Sequence, residues 1–215
     1  GVFDLAPSRD GRILAVSRRE AQSVDLIDLE NRTLRSIGTA RPSDSLFDRT
    51  EPETLLSLSD GSFLLLAASS DSEQGNLLTR LNPKSGKLST PLRARGVSDI
   101  VDDGANGVWI SSEFDGRLAL LDPTSGDAPT PLRLPPGAET NKVLVDAESQ
   151  RAWSVGLWSD PFLRSIDMTQ GQQKQVNSIG THQWDMALSK SLNRLFIPRL
   201  VEGKVRVFDA DTLNE

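Results

Sequence analysis

Short apolar runs recur along the chain, and each comes directly after a turn rich in Asp, Gly, Ser or Asn. Each run is followed, after a polar gap, by a second short run that ends in a carboxylate or an amide. These terminal residues are Asp28, Asn82, Asp122, Asp167 and Asp209. They lie about 45 residues apart, and an insertion at 39–52 widens the first interval. The sequence therefore predicts five copies of one structural unit.

Each unit has the pattern of β-structure. The apolar runs are short, several alternate with polar residues, and RDG, SDG, PKSG and PTSG turns bound them. In the third unit we expect strands near 97–101, 107–112, 116–121 and 129–134. A period of about 40–50 residues with four antiparallel strands per copy is typical of a β-propeller blade. The predicted fold is all-β: a β-propeller of four-stranded antiparallel blades, about five of them in this chain.

The unit boundaries predict one β-propeller domain over 1–215 with an unfinished last blade. The predicted units are 1–50, 51–95, 96–139, 140–181 and 182–215. The fifth unit stops after its third expected strand, and an uncovered strand edge invites aggregation. We therefore expect the chain to be part of a larger ring of six to eight blades. A complete five-bladed ring is the alternative.

Two stretches carry a resemblance to known propeller repeats. The segment SRDGRILAVSRREAQSVDLIDLENRTLRSIGT, residues 8–39, resembles the surface-layer YVTN-type repeat. The segment NGVWISSEFDGRLALLDPTSG, residues 106–126, is similar to blades of NHL-type and streptogramin lyase-like propellers. The resemblance implies a fold and not a function, because such repeats occur in lyases, lactonases, dehydrogenase subunits and interaction modules.

Composition and charge exclude several classes of function. The chain has 215 residues and no cysteine, so disulfides and zinc–thiolate sites are impossible. A net charge of −6 argues against a nucleic-acid partner, whose binding needs clustered cations. The longest apolar run, 63–68, is far too short for a membrane span. G-x-S-x-G and dinucleotide-binding motifs are absent from the sequence.

Four charged residues are candidates for a binding site in the central channel. Aligning the units places Glu53, Asp99, Lys142 and Asp185 at the starts of the innermost strands. Carboxylates that converge there could hold a divalent cation through oxygen ligands. The alternative is that the three carboxylates form ion pairs with Lys142 and nearby arginines, or simply face trapped water. The sequence requires no other cofactor.

The only histidine, His182, is the candidate catalytic residue. It lies just before the fifth innermost strand, at the rim where propellers bind ligands. The streptogramin lyase-like resemblance implies a histidine base beside a metal-polarised carbonyl, a role suited to the pKa of histidine. No second histidine accompanies it. A loop or packing role for His182 is the alternative.

Trp158 and Phe162 are candidates for contact with a partner protein. They lie between the expected second and third strands of the fourth unit, where a solvated apolar pair is unusual. They either cover the edge of the core or anchor a partner, because aromatic residues dominate interface hot spots. The insertion at 39–52 is a second candidate contact loop.

Two functions remain open at this stage. The first is a non-enzymatic scaffold that docks into a larger protein assembly in the bacterial cell envelope, in a periplasmic or extracellular location. Its partner would be another protein chain or the missing remainder of the propeller, with no nucleic acid and no membrane span. The second is a metal-dependent lyase or lactonase with its site at the central channel.

Overall fold

The structure is a computed structural model of the chain. It describes residues 2–39, 50–69, 76–90, 92–94, 97–103, 107–112, 117–121, 130–133, 140–156, 161–170, 172–180, 185–199 and 202–215. These residues form antiparallel β-strands joined by turns. In this part of the chain, helical segments with the length and apolarity needed to cross a bilayer are absent.

The chain divides into two compact units, Gly1–Ile100 and Val101–Glu215. The first unit contains two four-stranded sheets with the strands in sequence order. The first sheet consists of β1 (Asp4–Pro7), β2 (Ile13–Arg18), β3 (Ser23–Asp28) and β4 (Thr33–Gly38). The second sheet consists of β5 (Thr50–Ser57), β6 (Phe63–Ser69), β7 (Asn76–Leu81) and β8 (Leu92–Ala94).

The second unit holds the remaining sheets, apart from the start of β9, which lies in the first unit. The third sheet consists of β9 (Val97–Asp102), β10 (Val108–Ser112), β11 (Arg117–Leu121) and β12 (Thr130–Arg133). The fourth consists of β13 (Lys142–Asp146), β14 (Arg151–Val155), β15 (Phe162–Asp167) and β16 (Gln172–Ser178). The fifth has three strands among the described residues, β17 (Ala187–Ser189), β18 (Arg194–Arg199) and β19 (Lys204–Asp209).

The predicted all-β architecture with antiparallel sheets is confirmed. The strands of the third sheet begin and end within one or two residues of the predicted bounds. The number of blades in the ring and the assignment of the whole chain to one domain remain predictions.

Neighbouring sheets within each unit pack face to face through apolar clusters. In the first unit, Val24 and Leu26 of the first sheet share a cluster with Phe63 and Leu81 of the second. In the second unit, one cluster joins the third and fourth sheets and another joins the fourth and fifth. Burial on both faces explains the uninterrupted apolar run of β6, which does not alternate as a half-exposed strand would.

The repeated Asp or Asn after the third strand organises the next turn. Asp28 Oδ1 accepts hydrogen bonds from the backbone N–H groups of Glu30 and Asn31, at 3.0 and 2.8 Å. Asn82 Oδ1 and Asp209 Oδ1 each accept from the backbone N–H groups two and three residues further on. This side-chain capping is the physical reason for a recurrent short polar residue at that place. Asp122 lies outside the described residues.

Candidate functional site

Glu53, the first predicted binding residue, belongs to a cluster of charged side chains in the first unit. The Arg19 guanidinium donates a 2.5 Å hydrogen bond to Glu51, and its Nη2 lies 3.6 Å from Glu53 Oε1. The hydrogen bond to Glu51 raises the pKa of Arg19, and the same guanidinium lies 5.4 Å from the centre of the Phe3 ring. Glu53 thus has the arginine partner that the alternative interpretation anticipated.

Asp4, at the start of β1, joins the two sheets of the first unit. Its Oδ2 accepts a 2.8 Å hydrogen bond from the Leu55 backbone N–H in β5, and its Oδ1 accepts one from the N–H of Leu5. The Ser17 hydroxyl adds a 3.1 Å hydrogen bond to the Glu53 carbonyl oxygen. The polar groups at this end of the strands therefore hold neighbouring sheets together.

The other predicted binding residues occupy different environments. Asp99, in β9 of the first unit, is buried with 5% of its surface exposed. Lys142 begins β13 in the second unit and is half-buried. Asp185 is exposed, and its Oδ1 accepts a 2.8 Å hydrogen bond from the Met186 backbone N–H. The convergence of Glu53, Asp99, Lys142 and Asp185 on one opening remains a prediction.

The predicted divalent-cation site and the predicted catalytic histidine remain predictions. Within the part of the chain that the structure describes, no three His, Asp or Glu side chains come together as a metal-binding group. His182 and Trp158 both lie outside the described residues. A role for His182 as a base therefore stays a prediction.

A groove of about 720 Å³ opens between the first and second sheets, on the side of the β1–β2, β5–β6 and β7–β8 turns. Its lining contains four cationic side chains, Arg9, Arg80, Lys84 and Lys87, and two carboxylates, Asp10 and Asp60. Arg80 forms an ion pair with Asp60, and its Nε donates a 2.8 Å hydrogen bond to Ser62. The lysine ammonium groups form no ion pair with any described residue.

An equivalent groove of about 410 Å³ lies between the fourth and fifth sheets of the second unit. Two ion pairs link the sheets along this groove, one between Lys190 and Asp146 and one between Arg151 and Asp211. Burial raises the pKa of Asp146, but hydrogen bonds from Lys190 and Ser149 outweigh this effect and lower it overall. The residues around both grooves have the sequence pattern of ordinary turns, and the grooves arise from sheet packing that no local pattern reveals.

Phe162, the remaining predicted partner contact, begins β15 with 36% of its surface exposed. The Arg164 guanidinium lies 5.4 Å from the centre of its ring, a cation–π distance. Arg164 itself is buried, and its cross-strand neighbour in β16 is the exposed Val176. These three residues form the Phe162 patch, in which a buried charge supports an exposed aromatic ring.

Comparison with known proteins shows similarity at the level of structure. No protein-family model matches the sequence, and no curated protein matches it. The chain superposes on Kuenenia stuttgartiensis hydrazine synthase with a TM-score of 0.70 and 13% identity, covering 100% of this chain and 68% of that one. It superposes on a chain of the mitotic checkpoint complex with a TM-score of 0.71 and 13% identity, covering 97% and 60%.

Virginiamycin B lyase from Staphylococcus aureus is also similar, with a TM-score of 0.68, 14% identity and coverage of 98% and 70%. These structural neighbours are propeller-type proteins. The chain has a fold of the β-propeller type. At such low identity the similarity shows the fold alone. Membership of the YVTN, NHL or streptogramin lyase-like repeat families remains a prediction.

Proposed function

We propose that this chain is a non-enzymatic, protein-binding β-propeller that docks into a larger assembly, in the envelope of a bacterial cell. The observation that carries the proposal is the Phe162 patch, an exposed aromatic ring supported by the Arg164 guanidinium. One structurally similar chain belongs to the mitotic checkpoint complex, a protein assembly. That similarity shows that this fold can serve in a protein complex.

The Phe162 patch has the composition of an interface hot spot. Aromatic and arginine side chains are enriched at the centres of protein interfaces, where they fill pockets on the partner. The buried Arg164 holds the Phe162 ring from one side, so binding would immobilise few additional rotamers. The adjacent Val176, 49% exposed, extends the apolar surface onto the neighbouring strand.

Site-specific photo-crosslinking tests this proposal in the natural host. A photo-reactive amino acid at Phe162 should give one discrete crosslinked protein, and the same group at Leu192 should not. Leu192 is the matched control because it is exposed and lies in the turn between β17 and β18. With the identified partner, Phe162→Ala should weaken binding at least about tenfold, and Leu192→Ala should leave it unchanged. Equal crosslinking at both positions would contradict the proposal.

A metal-dependent lyase or lactonase is the second candidate, supported by the structural similarity to virginiamycin B lyase and by the buried carboxylate of Asp99. Metal analysis after exhaustive dialysis separates the two functions. One tightly held divalent ion per chain, lost in Asp99→Asn or Glu53→Gln, would favour the enzyme. A metal-free chain that still captures its partner through Phe162 would favour the scaffold.

The ring of six to eight blades is part of the same proposal. The chain spans between 60% and 70% of the length of the similar chains described above, so those proteins contain more structure than these 215 residues. In protein purified from its natural source, native mass spectrometry should show an intact mass above 23.4 kDa or a second bound chain. A monodisperse 23.4 kDa particle would contradict a larger ring.

A further inference from the structure

The groove between the first and second sheets has a surplus of positive charge. Four cationic side chains line it against two carboxylates, whereas the whole chain has a net charge of −6. All of the lining residues belong to the first unit. Its volume of about 720 Å³ lies in the range of small-molecule sites in proteins. A cationic groove on an acidic protein is suited to an anionic ligand.

The two carboxylates of the groove are engaged within their own sheets. Asp10 Oδ1 accepts a 2.7 Å hydrogen bond from the Ser8 hydroxyl. Asp60 Oδ1 accepts a 2.6 Å hydrogen bond from the Ser62 hydroxyl, and the same carboxylate forms an ion pair with Arg80. Within the described part of the groove, neither carboxylate pairs with a lysine. The positive charge of the lysines is therefore available to a ligand.

The turn between β7 and β8 carries both lysines of the groove, and its backbone is held in place. Asn82 Oδ1 accepts 3.0 Å hydrogen bonds from the N–H groups of Lys84 and Ser85. Arg35, in β4 of the first sheet, donates hydrogen bonds of 3.3 and 2.7 Å to the carbonyl oxygens of Lys84 and Ser85. Gly86 has a φ of 70°, and a Cβ atom there would collide with the Arg35 guanidinium. A backbone fixed in advance lowers the entropy cost of binding.

The geometry of this turn does not itself require lysines. They stand two and five residues after Asn82. The corresponding residues of the first, fourth and fifth sheets are acidic or neutral: Glu30 and Thr33, Thr169 and Gln172, and Asp211 and Asn214. In the equivalent groove of the second unit, the cations Lys190 and Arg151 are held in ion pairs. Cations that are not paired with carboxylates thus distinguish the first groove from its counterpart.

The groove also has an apolar part, because Ile13 and Leu88 are half-buried in its wall and pack against the core cluster of the first unit. We propose that the groove binds a small organic dianion. Lys84 and Lys87 hold its two negative charges, supplied by two carboxylates or by one phosphate ester, and its apolar body lies on Ile13 and Leu88. Lysine ammonium groups bind such anions as point charges.

This site is separate from the Phe162 patch, which belongs to the second unit. Binding of the anion can therefore be measured without the partner protein. Failure of either proposal leaves the other standing.

Two-dimensional ¹⁵N NMR of the full chain, titrated with phenyl phosphate at about pH 7.5, tests the proposal. A phosphate monoester is mostly doubly charged at that pH. The backbone N–H signals of Lys84, Lys87 and Ser89 should shift and saturate at roughly millimolar ligand, whereas that of Lys190 should not move. Isophthalate, with two carboxylates on the same ring, tests the other source of charge, and the tighter of the two ligands identifies the preferred one.

A double variant, Lys84→Gln with Lys87→Gln, should weaken binding at least about fivefold, because it removes both ammonium groups. Lys204→Gln is the matched control, since it removes one exposed lysine that lines neither groove. All three lysines are exposed, so the variants should fold, which circular dichroism verifies.

Three results would overturn the proposal. One is the lack of saturable shifts with either ligand up to roughly 20 mM. Another is unchanged affinity in the double variant. The third is inorganic phosphate binding as tightly as phenyl phosphate, because the ring would then make no contact with the apolar part of the groove.

Discussion

The indole Nε1 of Trp153 in the fourth sheet donates a 3.0 Å hydrogen bond to the Ala210 carbonyl oxygen in the fifth. Trp153 is 3% exposed and lies in the apolar cluster between the two sheets. One side chain therefore supplies both apolar packing and a directed hydrogen bond across a sheet interface. Ala210 also accepts a 3.2 Å hydrogen bond from Arg151, so the carbonyl oxygen is fully engaged.

Replacing Trp153 with Phe should lower the free energy of unfolding by about 1–2 kcal/mol, because it removes one buried hydrogen bond and part of the ring volume. Urea denaturation measures the change. The matched control is Trp109→Phe, whose indole donates a longer, 3.3 Å bond to Asp103 at a half-buried site. If Trp109→Phe lowered the free energy of unfolding as much as Trp153→Phe, the hydrogen bond between the sheets would contribute no extra stability.

The turn-capping carboxylates make stability depend on pH. Hydrogen bonds from the backbone N–H of Thr212, and then from that of Asp211, lower the pKa of Asp209 below its ordinary value. The Asn31 backbone N–H has the same effect on the pKa of Asp28. A group with a lowered folded-state pKa adds stability above its unfolded pKa of about 4, and this stability is lost as the pH falls through the folded value.

We therefore expect the urea midpoint to fall as the pH drops from about 5 towards 2. The urea midpoint of the Asp209→Asn variant should fall less steeply with pH. An amide oxygen can cap the turn without titrating, as Asn82 does in the second sheet. The variant should start from a lower midpoint at neutral pH, since it loses the ion pair with Arg194. Parallel pH profiles for the two proteins would contradict this account.

Two buried serines should respond in opposite directions to the same substitution. The Ser165 hydroxyl in β15 is fully buried, and no hydrogen-bond partner is found for it among the described residues. Ser165→Ala should therefore be neutral or stabilise the protein by up to about 1 kcal/mol. The Ser17 hydroxyl accepts from the Asp4 N–H and donates to the Glu53 carbonyl oxygen, so Ser17→Ala should cost about 1–2 kcal/mol. Thermal denaturation of both variants tests this: the melting temperature should stay the same or rise for Ser165→Ala and fall for Ser17→Ala.

Arg32 occupies a turn position that favours glycine. Its φ is 54°, in the left-handed region, and Gly86 with a φ of 70° stands at the equivalent position of the second sheet. A side chain in that region is strained, whereas glycine is not. Arg32→Gly should raise the free energy of unfolding by about 0.5 kcal/mol, measured by urea denaturation. Thr33→Gly, at the first residue of β4, should lower the free energy of unfolding.

Individual residues show which features of the structure local sequence patterns can predict and which they cannot. Trp109 and its neighbours in the third sheet were placed in strands correctly, because apolar alternation and Gly- or Pro-containing turns act over a few residues. The repeat of Asp28, Asn82 and Asp209 is visible in the sequence, whereas their role as turn caps is seen only in the hydrogen bonds of the folded chain. The Arg19–Glu53 pair joins residues 34 positions apart, so no local pattern could reveal it.

The strands, their antiparallel order and the repeat could be predicted from the sequence, because those features depend on side-chain alternation and turn chemistry within about 45 residues. Which apolar residues are covered depends on how the sheets pack against one another. Val24 and Leu34 both lie in the first sheet, yet Val24 is fully buried in the cluster shared with the second sheet and Leu34 is 63% exposed. Burial depends on contacts between neighbouring sheets, whereas strand formation depends on neighbours along the chain.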